Sequence, residues 1–138
     1  MIPGRHRLVV VAVLLAACSS PAATDSVNIS NETTIPVGVF VNGSRVAGVD
    51  PQSRVEIPPG DLPPPPWAVD VRTLGERSLV SLDVGVNPVT RTVYPDGHEV
   101  MAGPGTRVDL SCGRIDIWVG PPLLGPAPDS GTPGDCDP

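Results

Sequence analysis

Tyr94-Pro95-Asp96-Gly97-His98-Glu99 is the one stretch where an imidazole stands among carboxylates. Asp96, His98 and Glu99 have the residue types to ligate a metal ion or to serve a nucleophile. The same run also reads as a plain polar hairpin turn, because Pro-Asp-Gly is turn chemistry. A serine hydrolase would need a shaped elbow, and no Gly-x-Ser-x-Gly sequence occurs. Asp70, Asp83, Asp109 and Asp116 fall where alternation points them outward, interleaved with Arg72, Arg107 and Arg114. Paired carboxylates can cleave glycosidic bonds, but only in a cleft that raises one pKa. Solvated charges on a sheet face are the simpler reading of these four. Calcium loops of the Asp-x-Asp-x-Asp type are absent, and Asp135 and Asp137 offer at most a weak cation contact. Trp118 alternates against Ile117 and Val119 and so points away from the core, where an aromatic ring anchors an interface, stacks on a sugar or sits under the proline-rich tail. Trp67 alternates in phase with Val69 and Val71 and belongs to the core. These residues call for no cofactor and suggest no enzyme.

The elements that must hold them are short strands. From Ser26 onward, apolar residues recur at every second position between Gly, Pro, Asn and Asp. Val27 and Ile29 open the series, and Ile35, Val37, Val39 and Val41 run into Asn42-Gly43, a strong turn dipeptide. Arg45 to Val49 returns, and Ser53 to Ile57 follows a Pro51 turn. Residues 58–66 hold six prolines and are expected to run as an extended polyproline crossover. Trp67 to Val71, Val80 to Val84, a weaker Val89 to Tyr94, Val108 to Cys112 and Ile115 to Val119 complete eight or nine strands. Their spacing of about ten residues predicts an all-β fold, a small β-sandwich of immunoglobulin-like or transthyretin-like kind. Val dominates these runs and only 3% of residues are aromatic, so the core is built from β-branched side chains.

Residues 1–17 have the layout of a secretory signal. Arg5-His6-Arg7 is a positive start, and Leu8 to Ala17 is an uncharged apolar run. Ten helical residues span roughly 15 Å, half the hydrocarbon thickness, too short for a transmembrane helix. A twin-arginine pair is absent, which favours the general secretion route. The run ends in Leu15-Ala16-Ala17-Cys18, which closely resembles the lipobox of bacterial lipoproteins. That resemblance implies a diacylglyceryl group on the Cys18 thiol, cleavage before Cys18, and residues 18–25 as a short tether. Two or more acyl chains hold a protein stably at a membrane, whereas one does not. All nine basic residues are Arg, with abundant Pro, Gly, Ala and Val, a composition of GC-rich genomes such as those of actinobacteria. With no Asp directly after Cys18 and an actinobacterial composition, the outer face of the plasma membrane is the expected destination.

Removing the leader leaves seven arginines against fifteen acids, a net charge of −8. Such a body is repelled by nucleic acid and by anionic headgroups, so attachment must come from lipid. Assigning Cys18 to lipid leaves Cys112 and Cys136, which in an oxidising compartment are expected to pair as a disulfide worth about 3 kcal/mol. A metal site is the rival reading, though two cysteines without nearby His match zinc spacing poorly. The chain divides into the β-domain, 26–119, and a tail, 120–138, holding six of the nineteen prolines. A bridge to Cys136 would lay that tail over the sheet, with Leu123 and Leu124 covering apolar surface. The three asparagine sequons, at Asn28, Asn31 and Asn42, read as chance in a bacterial protein. The body also resembles small lipoproteins of GC-rich bacteria in its Val41-Asn42-Gly43 turn, its Pro65-Pro66-Trp67 lead into a strand and its C-terminal cysteine pair. That likeness implies a fold and no activity. The expectation is a lipid-anchored, non-enzymatic binding or structural module, touching an envelope protein or wall polymer through Trp118, Leu123 and Leu124. The alternative is a solute- or metal-binding protein centred on the His98 loop.

Overall fold

A computed structural model describes residues 25–121. Ten strands follow in order: β1 (Val27–Asn31), β2 (Val37–Val41), β3 (Ser44–Val49), β4 (Ser53–Ile57), β5 (Trp67–Thr73), β6 (Ser78–Val84), β7 (Thr90–Val93), β8 (Glu99–Ala102), β9 (Gly105–Leu110) and β10 (Gly113–Val119). They form two four-stranded antiparallel sheets, β4-β1-β10-β9 and β3-β2-β5-β6, and a separate two-stranded hairpin, β7-β8. The two larger sheets face each other as a β-sandwich. Val27, Ile29, Ile115, Ile117 and Val119 of the first meet Val37, Val39, Val41, Val69 and Val71 of the second, all buried. Period-two alternation puts these side chains on one face, and burying each contributes roughly 1.5–3 kcal/mol.

The Asn42-Gly43 turn between β2 and β3 forms as its sequence requires, with φ of 51° and 82°. Asn42 also ties the turn to β5, accepting from the Ala68 N–H at 2.8 Å and donating to the Pro66 carbonyl at 3.3 Å. The proline-rich crossover departs from the extended path expected of it. Pro59–Asp61 makes one 3-10 turn, with the Asp61 N–H on the Pro58 carbonyl at 3.0 Å. Two apolar anchors fold it down: Leu62 enters the core, and the Trp67 indole donates to the Pro63 carbonyl at 2.8 Å. Ile35 stays outside β2, where Pro36 interrupts the ladder.

β1 is one of the two central strands of its sheet and is buried on both faces. Its polar residues are consequently part of the interior. Asn31, fully buried, donates to the carbonyls of Ile35, Asp50 and Val49 at 2.8, 3.1 and 3.2 Å. Its Oδ1 accepts from the Thr33 backbone N–H and hydroxyl at 3.1 and 2.6 Å. Glu32 is nearly buried and accepts from the Ser30 hydroxyl at 2.7 Å, with Arg54 3.6 Å away. Gly113 is required beside it: its φ is +131°, and a Cβ would stand 2.1 Å from the Glu32 carbonyl oxygen.

One end of the sandwich gathers the start of β1, the end of β10 and the root of the β7-β8 hairpin. The Gly120 N–H donates to the Ser26 carbonyl at 3.0 Å, and the Val119 N–H to the Pro104 carbonyl at 2.9 Å. Asn28 adds a bond from its amide to the Gly120 carbonyl at 2.8 Å.

Candidate functional site

The His98 run caps the β7-β8 hairpin. Gly97 takes φ +84°, its N–H donates to the Tyr94 carbonyl at 2.9 Å, and the Tyr94 N–H donates to the His98 carbonyl at 2.9 Å. Asp96 Oδ1 accepts from the His98 backbone N–H at 3.1 Å and lies 2.5 Å from the imidazole Nδ1. The imidazole stacks on Tyr94 with ring centroids 4.3 Å apart and 4° between planes. Glu99 turns away to pair with Arg91 across the hairpin. The three sequence candidates are thus split, Asp96 with His98 and Glu99 with Arg91. No group of three or more His, Cys, Asp or Glu side chains is placed to share a metal ion among the described residues. Both members of the Asp96–His98 pair are exposed, so water competes for every polar contact they offer.

What the hairpin does gather is apolar surface. Val93 is 59% exposed, Met101 53%, Tyr94 44% and Val100 41%, four of the six large apolar side chains that stand out among the described residues. All eight strand residues of β7 and β8 are exposed. The register sets Val93 opposite Glu99, Thr92 opposite Val100 and Arg91 opposite Met101, which leaves both hairpin faces partly apolar. Its root, by contrast, is packed: Val89 lies against the core, and a methyl group on Gly120 would touch Val89 and the Gly103 nitrogen at 3.7 and 3.8 Å. The turn and β7 are legible in the sequence, but β8 is not, because its Glu-Val-Met-Ala lacks a one-sided pattern.

Trp118 lies half-buried on the outer face of the first sheet, opposite Asn28 on one side and Gly105 on the other. Its indole N–H donates to the Pro121 carbonyl at 3.2 Å. With Gly105, Thr106, Arg107 and Asp116 it lines an open groove of about 420 Å3. A Cβ on Gly105 would stand 3.0 Å from the Ile117 carbonyl oxygen and 3.3 Å from Trp118 Cβ, so glycine lets β9 lie close to β10 here. The outward carboxylates do not converge. Asp70 pairs with Arg72 at 2.6 Å, Asp109 with Arg107 at 3.2 Å and Asp116 with Arg114 at 2.9 Å, while Asp83 stands on β6 opposite Ala68. Arg72 also covers the Phe40 ring at 4.4 Å. Trp67 is in the core, as its alternation requires. Cys112 is fully buried in the β9–β10 turn. Cys18, Leu123, Leu124 and Cys136 lie outside the described residues.

No protein-family model, curated protein or solved structure matches this chain.

Proposed function

We propose that this chain is the precursor of a bacterial lipoprotein, held by lipid on Cys18 at the outer face of the plasma membrane and acting there as a non-enzymatic binding or structural module. The address rests on Arg5-His6-Arg7, the ten-residue apolar run and the lipobox-like Leu15-Ala16-Ala17-Cys18. The observation that carries the binding reading is Trp118, half-exposed in an open groove on a sheet face that Arg107 and Asp116 also line. An exposed aromatic ring in a groove with polar side chains along it suits a protein surface or a sugar polymer of the wall. A Cys112–Cys136 disulfide belongs to the same reading, since export exposes both thiols to an oxidising compartment.

In-cell crosslinking followed by mass spectrometry tests the module, with wild type and Trp118→Ala run side by side. Reproducible envelope partners, lost with the substitution, are expected. Partners unchanged by Trp118→Ala would refute the role given to this face.

A further inference from the structure

We propose that the β7-β8 hairpin is a second membrane contact, entering tip-first the interfacial zone of the bilayer that holds the lipid anchor, with Tyr94 beside the turn, Val93 and Met101 on one face and Val100 on the other. This rests on the lipoprotein reading above, and it assigns the hairpin an occupant.

Three observations point to lipid. The first is exposure: a two-stranded hairpin with both faces in water is marginal, and this one spends its surface on apolar side chains. The second is placement. Ser26, the first residue after the tether, is bonded to Gly120, and Gly120 adjoins Val89 and Gly103 at the root of the hairpin. The tether and the hairpin therefore leave the sandwich from the same end. The third is reach. Cys18 and Ser26 are eight residues apart, a span of at most about 29 Å. Four-residue strands of about 3.3 Å per residue carry the turn roughly 13 Å beyond the root. A hairpin tip at the headgroup boundary thus leaves the tether long enough to seat its lipid in the same leaflet.

The side chains present fit that zone. Tyr94, stacked on His98, is the amphipathic aromatic type enriched at membrane–water interfaces, and Val93, Val100 and Met101 stand exposed on the same hairpin. Charge does not drive the contact. Arg91 is paired with Glu99 and Asp96 with His98, so the hairpin offers no basic cluster to anionic headgroups. The body after Cys18 is acidic as well. The contact is therefore apolar, favours zwitterionic lipid and is insensitive to salt. It would fix the sandwich's orientation, holding the opposite end away from the membrane.

The test uses full-length lipidated protein in phosphatidylcholine vesicles, with and without brominated acyl chains. Tyr94→Trp is introduced together with Trp118→Phe, so that the remaining native Trp67 stays buried. Intact mass first reports whether Cys18 carries lipid, and vesicle flotation reports anchoring. With both present, the expected result is a blue-shifted emission from position 94, quenched at least twofold by the brominated lipid. Adding Val93→Asp and Met101→Asp should abolish the quenching while flotation persists. Lipidated, floating protein whose position 94 is unquenched, or crosslinks instead to a second copy or another protein, overturns the hairpin contact alone. Quenching that survives both aspartates overturns it too. A Cys18 without lipid overturns the anchoring reading first.

Discussion

Asn31 shows how a polar residue can hold a small sandwich together. Five contacts, three to backbone carbonyls and two from Thr33, converge on one buried side chain and join β1 to the turn after β3. Replacing it leaves the buried Val49 carbonyl without that donor and removes the part-buried bonds to Ile35 and Asp50, and an unsatisfied buried group costs about 1–3 kcal/mol. Asn31→Ala is therefore expected to lose about 3 kcal/mol in urea unfolding, and Asn31→Asp, which has no amide to donate, at least as much. Gly113→Ala should be worse tolerated, because positive φ and the Glu32 carbonyl both exclude a side chain; the expected outcome is loss of a cooperative unfolding transition. In contrast, Val93→Ser with Met101→Ser should change unfolding free energy of the unlipidated domain by under about 0.5 kcal/mol per site, since neither is buried. The polar interior was illegible in the sequence for a physical reason. Asn28, Ser30, Asn31 and Glu32 look like surface residues, and several of the partners that make them interior, among them Val49, Arg54 and Gly120, are remote along the chain.

At the scale of elements, strands with one buried face announced themselves. β2, β5 and β10 carry Val, Ile or Trp67 at the inward positions and Gly, Ala, Asp, Arg, Phe40 or Trp118 at most of the others, because the core selects every second position. β8 left no such trace, since no core selects either of its faces. The proline-rich crossover was legible as a non-strand but not as a folded one. Its 3-10 turn depends on Leu62 and Trp67 finding the core, a tertiary event. The Pro-Asp-Gly turn and His98 were legible, while the separation of Glu99 from Asp96 depended on where Arg91 sits across the hairpin. Amide hydrogen exchange gives an element-level check. Residues 90–102 should exchange close to the rate of local opening in the unlipidated domain, and β1 and β10 only at the rate of global unfolding.

For the whole molecule, two features outside the strands set the behaviour: the covalent tie proposed for Cys112 and the lipid proposed for Cys18. Closing the loop to Cys136 stabilises by about 3 kcal/mol in the chain-entropy account. Reductant should therefore lower the melting temperature of exported wild-type protein and leave Cys136→Ser unchanged; equal sensitivity of both would contradict the pairing. The lipid proposed for Cys18 would govern more than location, because the start of β1 and the hairpin root share one end of the sandwich, and an anchor there would orient everything else. The most direct measurement of the central claim is intact and peptide mass spectrometry of the protein extracted from bacterial membranes. The account predicts an N-terminal peptide that begins at Cys18 and carries the mass of a diacylglyceryl group, absent from Cys18→Ala. An unmodified cysteine, or a mature chain that begins elsewhere, would contradict it.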